Sequence, residues 1–208
     1  MIGILADVAI VEQPTTATFT RRRWTRDEYY RMAEAGIFKP GERVELIDGE
    51  VTVMSPQNEP HMVAITLTAE ALREAFGRGF HVRVQGPMTL AGPTEPEPDV
   101  AIVEGSPNDY LASHPSHAAV VVEVADSSLA ADRSEKGSLY ARAGVPDYWI
   151  VDLVHRRLEI YRDPIELPNA PHGFAYRTAT MLLPGESVRP LARPEAEIAV
   201  DALLPRLG

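Results

Sequence analysis

Apolar positions along the chain fall into periodic blocks punctuated by Pro and Gly. Tyr29, Met32 and Ala33 recur at helical spacing behind Thr25-Arg26-Asp27-Glu28, a Thr-x-x-Glu capping box, and Gly36 marks a stop, which predicts a short amphipathic helix. Arg43 to Met54 reads as two short strands around Asp48-Gly49, a dipeptide favoured in tight hairpins because both central positions take positive φ. Pro56 and Pro60 then break the chain. From His61 to Phe76, Met62, Ile65, Ala69, Leu72 and Phe76 repeat every three to four residues, predicting the longest helix, packed on one side and ended by Gly77. Three extended segments follow: His81 to Leu90 alternates, Asp99 to Val103 is short and apolar, and Ala118 to Val124 is a β-branched run of the kind buried on both faces. Asp132, with Glu135 three positions on, predicts the cap of a third helix whose inner face is Leu139, Tyr140 and Ala143, stopped by Gly144-Val145-Pro146. Strands return at Tyr148 to Leu153 and Arg157 to Arg162, with further strand-like pieces from Phe174 to Leu183 before a Pro-rich tail.

This order predicts an α/β (α+β) protein, a mixed sheet flanked by helices with an N-terminal helix and hairpin, rather than regular βαβ alternation. The first twenty residues show no period, so the expected organisation is an arm over 1–20 and a single domain over 21–208. The longest apolar stretch past that arm, Ala118 to Ala125, is far short of the ~20 residues a membrane helix needs. The opening run lacks a basic segment and is interrupted by Asp7, a poor signal peptide. The expectation is a cytoplasmic protein without a membrane partner.

Composition narrows the chemistry. With no Cys, thiol catalysis, disulfides and Cys-ligated metals are excluded. A net charge of −10 argues against a surface that is a nucleic-acid trap throughout. A local patch remains open: Arg21, Arg22, Arg23 and Arg26 beside Trp24 could grip phosphates or simply offset the acidic surface. Dinucleotide, P-loop, G-x-S-x-G and H-E-x-x-H motifs are absent.

What remains is a set of carboxylates inside apolar strands. Pro98-Asp99 opens one central strand, and Glu123 lies near the end of the next, within Val121-Val122-Glu123-Val124-Ala125. A carboxylate in such a run is costly to bury unless something binds it. If the strands are neighbours, the two carboxylates converge, and two oxygen ligands plus waters suit Mg²⁺ or Mn²⁺. Lys136, one of only two lysines, falls on the following helix, where its stem could reach the same place to orient a water or stabilise phosphate charge. The structural alternatives are Asp99 as a turn residue, Glu123 paired with Arg142 or Arg133, and Lys136 paired with Asp132 at i,i+4.

Val44-Glu45-Leu46-Ile47-Asp48-Gly49-Glu50, Glu97-Pro98-Asp99-Val100, Val122-Glu123-Val124-Ala125-Asp126-Ser127-Ser128, Asp132 to Lys136 and Tyr140 to Asp152 together resemble the Uma2 family of restriction-endonuclease-like proteins, over roughly Arg22 to Asp152. The resemblance implies the PD-(D/E)xK nuclease core of helix, three strands, helix and further strand around a divalent metal. Asp99 would match the Asp of the PD motif and Glu123 the acidic residue of (D/E)xK, both as metal ligands. Ala125 stands where the motif has its lysine, so the basic role would pass to Lys136. Glu45, His61 and Gln85 match recurring positions as accessory residues, although each has a structural reading: an exposed strand residue, a helix-capping side chain and a strand-satisfying amide. The implied function is Mg²⁺- or Mn²⁺-dependent hydrolysis of DNA phosphodiester bonds, with a homodimer expected by analogy. The rivals are a catalytically silent nucleic-acid-binding or regulatory module on the same fold and a metal-independent hydrolase, such as a glycosidase, using the carboxylates as acid and base.

Overall fold

The computed structural model describes residues 20–206, so the arm over 1–20 lies almost wholly outside the described residues. Helix α1 (Arg26–Glu34) starts at the capping box, in which Thr25 accepts the Glu28 amide and the Glu28 side chain accepts the Thr25 amide. Strands β1 (Val44–Ile47) and β2 (Glu50–Val53) pair antiparallel through Asp48 and Gly49, both at positive φ (48° and 79°), the tight turn that the dipeptide predicts. Helix α2 (Glu59–Phe76) begins earlier than the periodicity suggested, with Asn58 as its N-cap. Pro60 therefore starts the helix instead of breaking the chain, because its missing N–H belongs to the first turn, which has no intrahelical acceptor. Met62, expected on the inner face, is exposed.

A six-stranded mixed sheet forms the centre, in the order β3 (Phe80–Val84), β4 (Val100–Glu104), β5 (Val120–Ala125), β6 (Asp147–Asp152), β7 (Arg157–Glu166), β8 (Phe174–Leu182). Only β5 and β6 run parallel. Every residue of these two strands is buried, because helices cover both faces of the sheet there. On one face α2 packs Ile65, Ala69, Leu72 and Phe76 against Val100, Val122, Trp149 and Leu158, joined by C-terminal residues such as Leu203. On the other, Leu139 and Tyr140 cover Ala101, Val121, Tyr148 and Ile150. A smaller cluster of Tyr29, Val44 and Leu46 seats α1 on the hairpin. β9 (Ser187–Val188) and β10 (Ile198–Ala199) form a separate short pair.

Two segments depart from the sequence reading. β3 ends at Val84, not Leu90, because Gln85 turns to positive φ and Met88 and Leu90 are buried from a loop. The third helix starts before Asp132: α3 (Leu129–Ala131) continues through a wide π turn, Asp132–Lys136, into α4 (Gly137–Arg142). Asp132 is thus inside the helical run, where its side chain accepts the Ser128 hydroxyl, rather than at its cap. The Gly137 amide reaches back to the Asp132 carbonyl, which also accepts the Tyr148 hydroxyl. Such wide turns cluster at functional sites because they re-aim side chains.

Candidate functional site

β4 and β5 are antiparallel neighbours with Val100 opposite Val122, which sets Asp99 beside Glu123 at one end of the strands. The two carboxylates are locked by backbone: Asp99 Oδ2 accepts the Val124 amide at 2.9 Å, and Glu123 Oε2 accepts the Asp99 amide at 3.3 Å. Tyr140, fully buried on α4, donates its hydroxyl to Glu123 Oε1 at 2.7 Å.

The π turn delivers Lys136 to the same place. Its ammonium lies 3.4 Å from Glu123 Oε1 and 2.7 Å from Glu45 Oε1, whose carboxylate also accepts the Glu97 amide. His61, in the first turn of α2, brings Nε2 to 3.3 Å from Asp99 Oδ2, and Gln57 donates to Asp99 Oδ1 at 3.2 Å. These residues share one cleft of about 550 Å³, walled by the β1–β2 hairpin, residues 54–58, residues 126–136 and Pro171-His172.

Glu45, His61, Asp99, Glu123 and Lys136 therefore meet, as the sequence suggested, and neither Arg142 nor Arg133 is the partner of Glu123. Arg142 pairs with Asp48, and Arg133 with Glu159. Gln85 stands apart from the cleft lining; its backbone amide donates to the Asp99 carbonyl, so it supports the strand entrance. Of the four arginines, Arg21 is exposed, Arg22 pairs with Glu28 and lies over Trp24, and Arg26 pairs with Glu95. Arg23 pairs with Glu50 and lines the cleft.

Asp132 and Tyr140 are site residues that sequence reasoning missed. Asp132 is 5% exposed and faces the cleft. Its chain position suited a cap, and only the displaced helix start turns it inward. Tyr140 fits the apolar period of its helix, so nothing in the pattern marks its hydroxyl.

The electrostatics follow from crowding. Burial pushes the Glu123 carboxyl up to about 8, reinforced by Asp99, Asp132 and Glu45 and opposed by Lys136. Burial likewise raises Asp132 to about 6, against the Ser128 hydrogen bond and Lys136. For Lys136 burial works against the charge, but Glu123 and Glu45 outweigh it and hold the proton more firmly than in an ordinary lysine. Among the described residues no group of three or more His, Asp or Glu side chains is placed so that it could hold a metal ion. The donors present are hard carboxylate oxygens carrying more negative charge than one ammonium balances. Hard oxygen donors of this kind are the chemistry that Mg²⁺ or Mn²⁺ takes, and Asp99 and Glu123 are the adjacent pair that offers them.

The Uma2 family model, described as "Putative restriction endonuclease", matches residues 26–201. Among solved structures, a protein of Anabaena variabilis described as a "putative nuclease belonging to DUF820" superposes with a TM-score of 0.64 at 15% identity, covering 86% of this chain and 96% of that one. At that identity the likeness is one of fold. No curated protein matches the sequence. No helix among the described residues is long and apolar enough to cross a membrane.

Proposed function

Since the chain belongs to the Uma2 family of restriction-endonuclease-like proteins, we propose that it is a divalent-metal-dependent nuclease that hydrolyses DNA phosphodiester bonds. The observation that carries this reading is the meeting of Asp99, Glu123 and Lys136 on the floor of one cleft, drawn from the residue that precedes β4, from β5 and from a π turn. Asp99 and Glu123 would hold Mg²⁺ or Mn²⁺, which when bound supplies Lewis-acid stabilisation and a water of lowered pKa.

The protein's own residues do the rest. The Val124 and Asp99 amides and the Tyr140 hydroxyl fix the carboxylate oxygens before substrate arrives, so little reorganisation is needed during reaction. Lys136, already charged, places its ammonium beside Glu123, where it can orient the attacking water or offset charge developing on the phosphate. Glu45 is a positioning residue that holds the ammonium in place. His61 sits within reach of Asp99, where it steadies the carboxylate.

The test is calorimetry of Mn²⁺ binding with single-turnover cleavage in parallel. Asp99→Ala and Glu123→Ala should lose both metal affinity and cleavage. Lys136→Ala should bind Mn²⁺ and cleave about 10²-fold more slowly, the effect of losing one preorganised electrostatic contact. Equal Mn²⁺ affinity in wild type and Glu123→Ala would refute the metal site. Metal binding without cleavage of any nucleic acid would leave a silent binding module on a nuclease fold.

A further inference from the structure

Resting on that nuclease reading, we infer that the cleft takes a single unpaired nucleic-acid strand and turns away intact duplex. The reacting groups are recessed: Asp99 is 4% exposed, Glu123 4% and Asp132 5%, so a phosphodiester must descend between the walls to meet them. The space above them, about 550 Å³, is of the size that holds a drug-sized molecule, equivalent to about one or two nucleotides. A phosphate on a duplex is carried on a stiff rod whose partner strand would have to enter too. An unpaired strand bends at every linkage, and enzymes that work in deep pockets characteristically take their nucleotide out of the stack.

The wall that would have to yield is pinned. At the hairpin tip Asp48 accepts two hydrogen bonds from Arg142, at 2.7 and 3.0 Å, and its carboxylate lies 3.0 Å from His172 Nδ1. Gly49 is tied on both sides, donating to the Pro93 carbonyl and accepting the Trp24 amide. The hairpin is therefore a fixed wall of the cleft.

Charge points the same way. Among the described residues the cleft is lined by eight carboxylates and three cations, Arg23, Arg43 and Lys136, with Glu50, Asp126 and Glu135 among the acids. Duplex DNA carries about twice the linear charge density of one strand, and its affinity depends on basic residues to neutralise it. This lining penalises duplex more than single strand. Its apolar members, Ile47, Val53, Met54 and Leu139, offer surface to an unstacked base.

The experiment measures fluorescence anisotropy of a short fluorescein-labelled DNA strand, alone and annealed to its complement, in Mg²⁺, with cleavage of both followed in Mn²⁺. The strand should bind at least about tenfold more tightly than its duplex and be cut correspondingly faster. Arg142→Met, which unpins the hairpin tip from a position outside the cleft lining and leaves its charges in place, should narrow that ratio. Duplex bound as tightly and cut as fast as the strand overturns the inference and leaves the nuclease reading intact. Preferential binding of the strand with no cleavage in either metal leaves the inference standing and overturns the nuclease reading. Binding of neither overturns both.

Discussion

Lys136→Met removes the one ammonium paired with the buried carboxylates Glu45 and Glu123 while keeping an unbranched side chain of similar length. At 2.7 Å from Glu45 and 3.4 Å from Glu123, the charge gains about 6 and about 5 kcal/mol of Coulomb energy at an effective dielectric constant of about 20. Most of this is offset by the cost of removing three charges from water, so the gross sum is no measure of stability. What the variant exposes is the unpaired remainder: Glu45 at 3% and Glu123 at 4% exposure keep their burial and lose their partner. Breaking a buried pair in this way costs about 3–5 kcal/mol. In a domain of this size each kcal/mol lowers Tm by about 2–4 °C, so the expected fall is about 6–20 °C.

The assay is a calorimetric melt at about pH 9 in EDTA, above the value of about 8 to which burial pushes Glu123, so that both carboxylates are charged in the wild type and no added cation can take the place of the ammonium. Glu45→Gln in the Lys136→Met background removes one of the two stranded charges and should recover part of the loss, with a coupling of about 1–3 kcal/mol in the double-mutant cycle. A Lys136→Met protein melting within about 2 °C of wild type, with no coupling to Glu45, would refute the account of Lys136 as the charge partner of the buried carboxylates.

Glu159 gives a prediction on the acid side. Burial alone would raise its carboxyl, but hydrogen bonds and charge from Arg133, Tyr161 and Arg157 hold it at about 2. A depressed pKa contributes stability that is complete above the unfolded value of about 4.3 and is lost as pH falls from there toward 2. Glu159→Gln should flatten the acid limb of a Tm-against-pH curve over that window; an unchanged limb would assign acid unfolding to other carboxylates. Gly49→Ala should destabilise by about 1–3 kcal/mol in urea melts, because the position has φ of 79° and an added Cβ would lie 2.7 Å from Arg23 Cβ and 3.0 Å from the Trp24 carbonyl. A change below about 0.5 kcal/mol would mean that the hairpin shifts freely against the 23–24 segment.

The local elements were legible because their signals are local. The Thr25 capping box, the Asp48-Gly49 turn, the helical stripe before Gly77 and the β-branched run through Val124 each specify a backbone conformation within a few residues. Asp99 and Glu123 were legible as candidates because a carboxylate in an apolar strand needs a partner wherever that strand lies. Which partner it has depends on strand order and register, and these pair residues 24 positions apart. The lysine is the clearest case: its spacing from Asp132 suggested an i,i+4 pair, yet tertiary packing gave it Glu45, 91 positions away. The π turn that aims Lys136 and buries Asp132 leaves no hydrophobic period to read, since it arises where the Asp132 carbonyl meets both the Gly137 amide and the Tyr148 hydroxyl. Local sequence thus determined the elements and their chemical candidates. The tertiary structure alone decided that the candidates share one cleft, because charge pairing and burial act between segments distant in the chain.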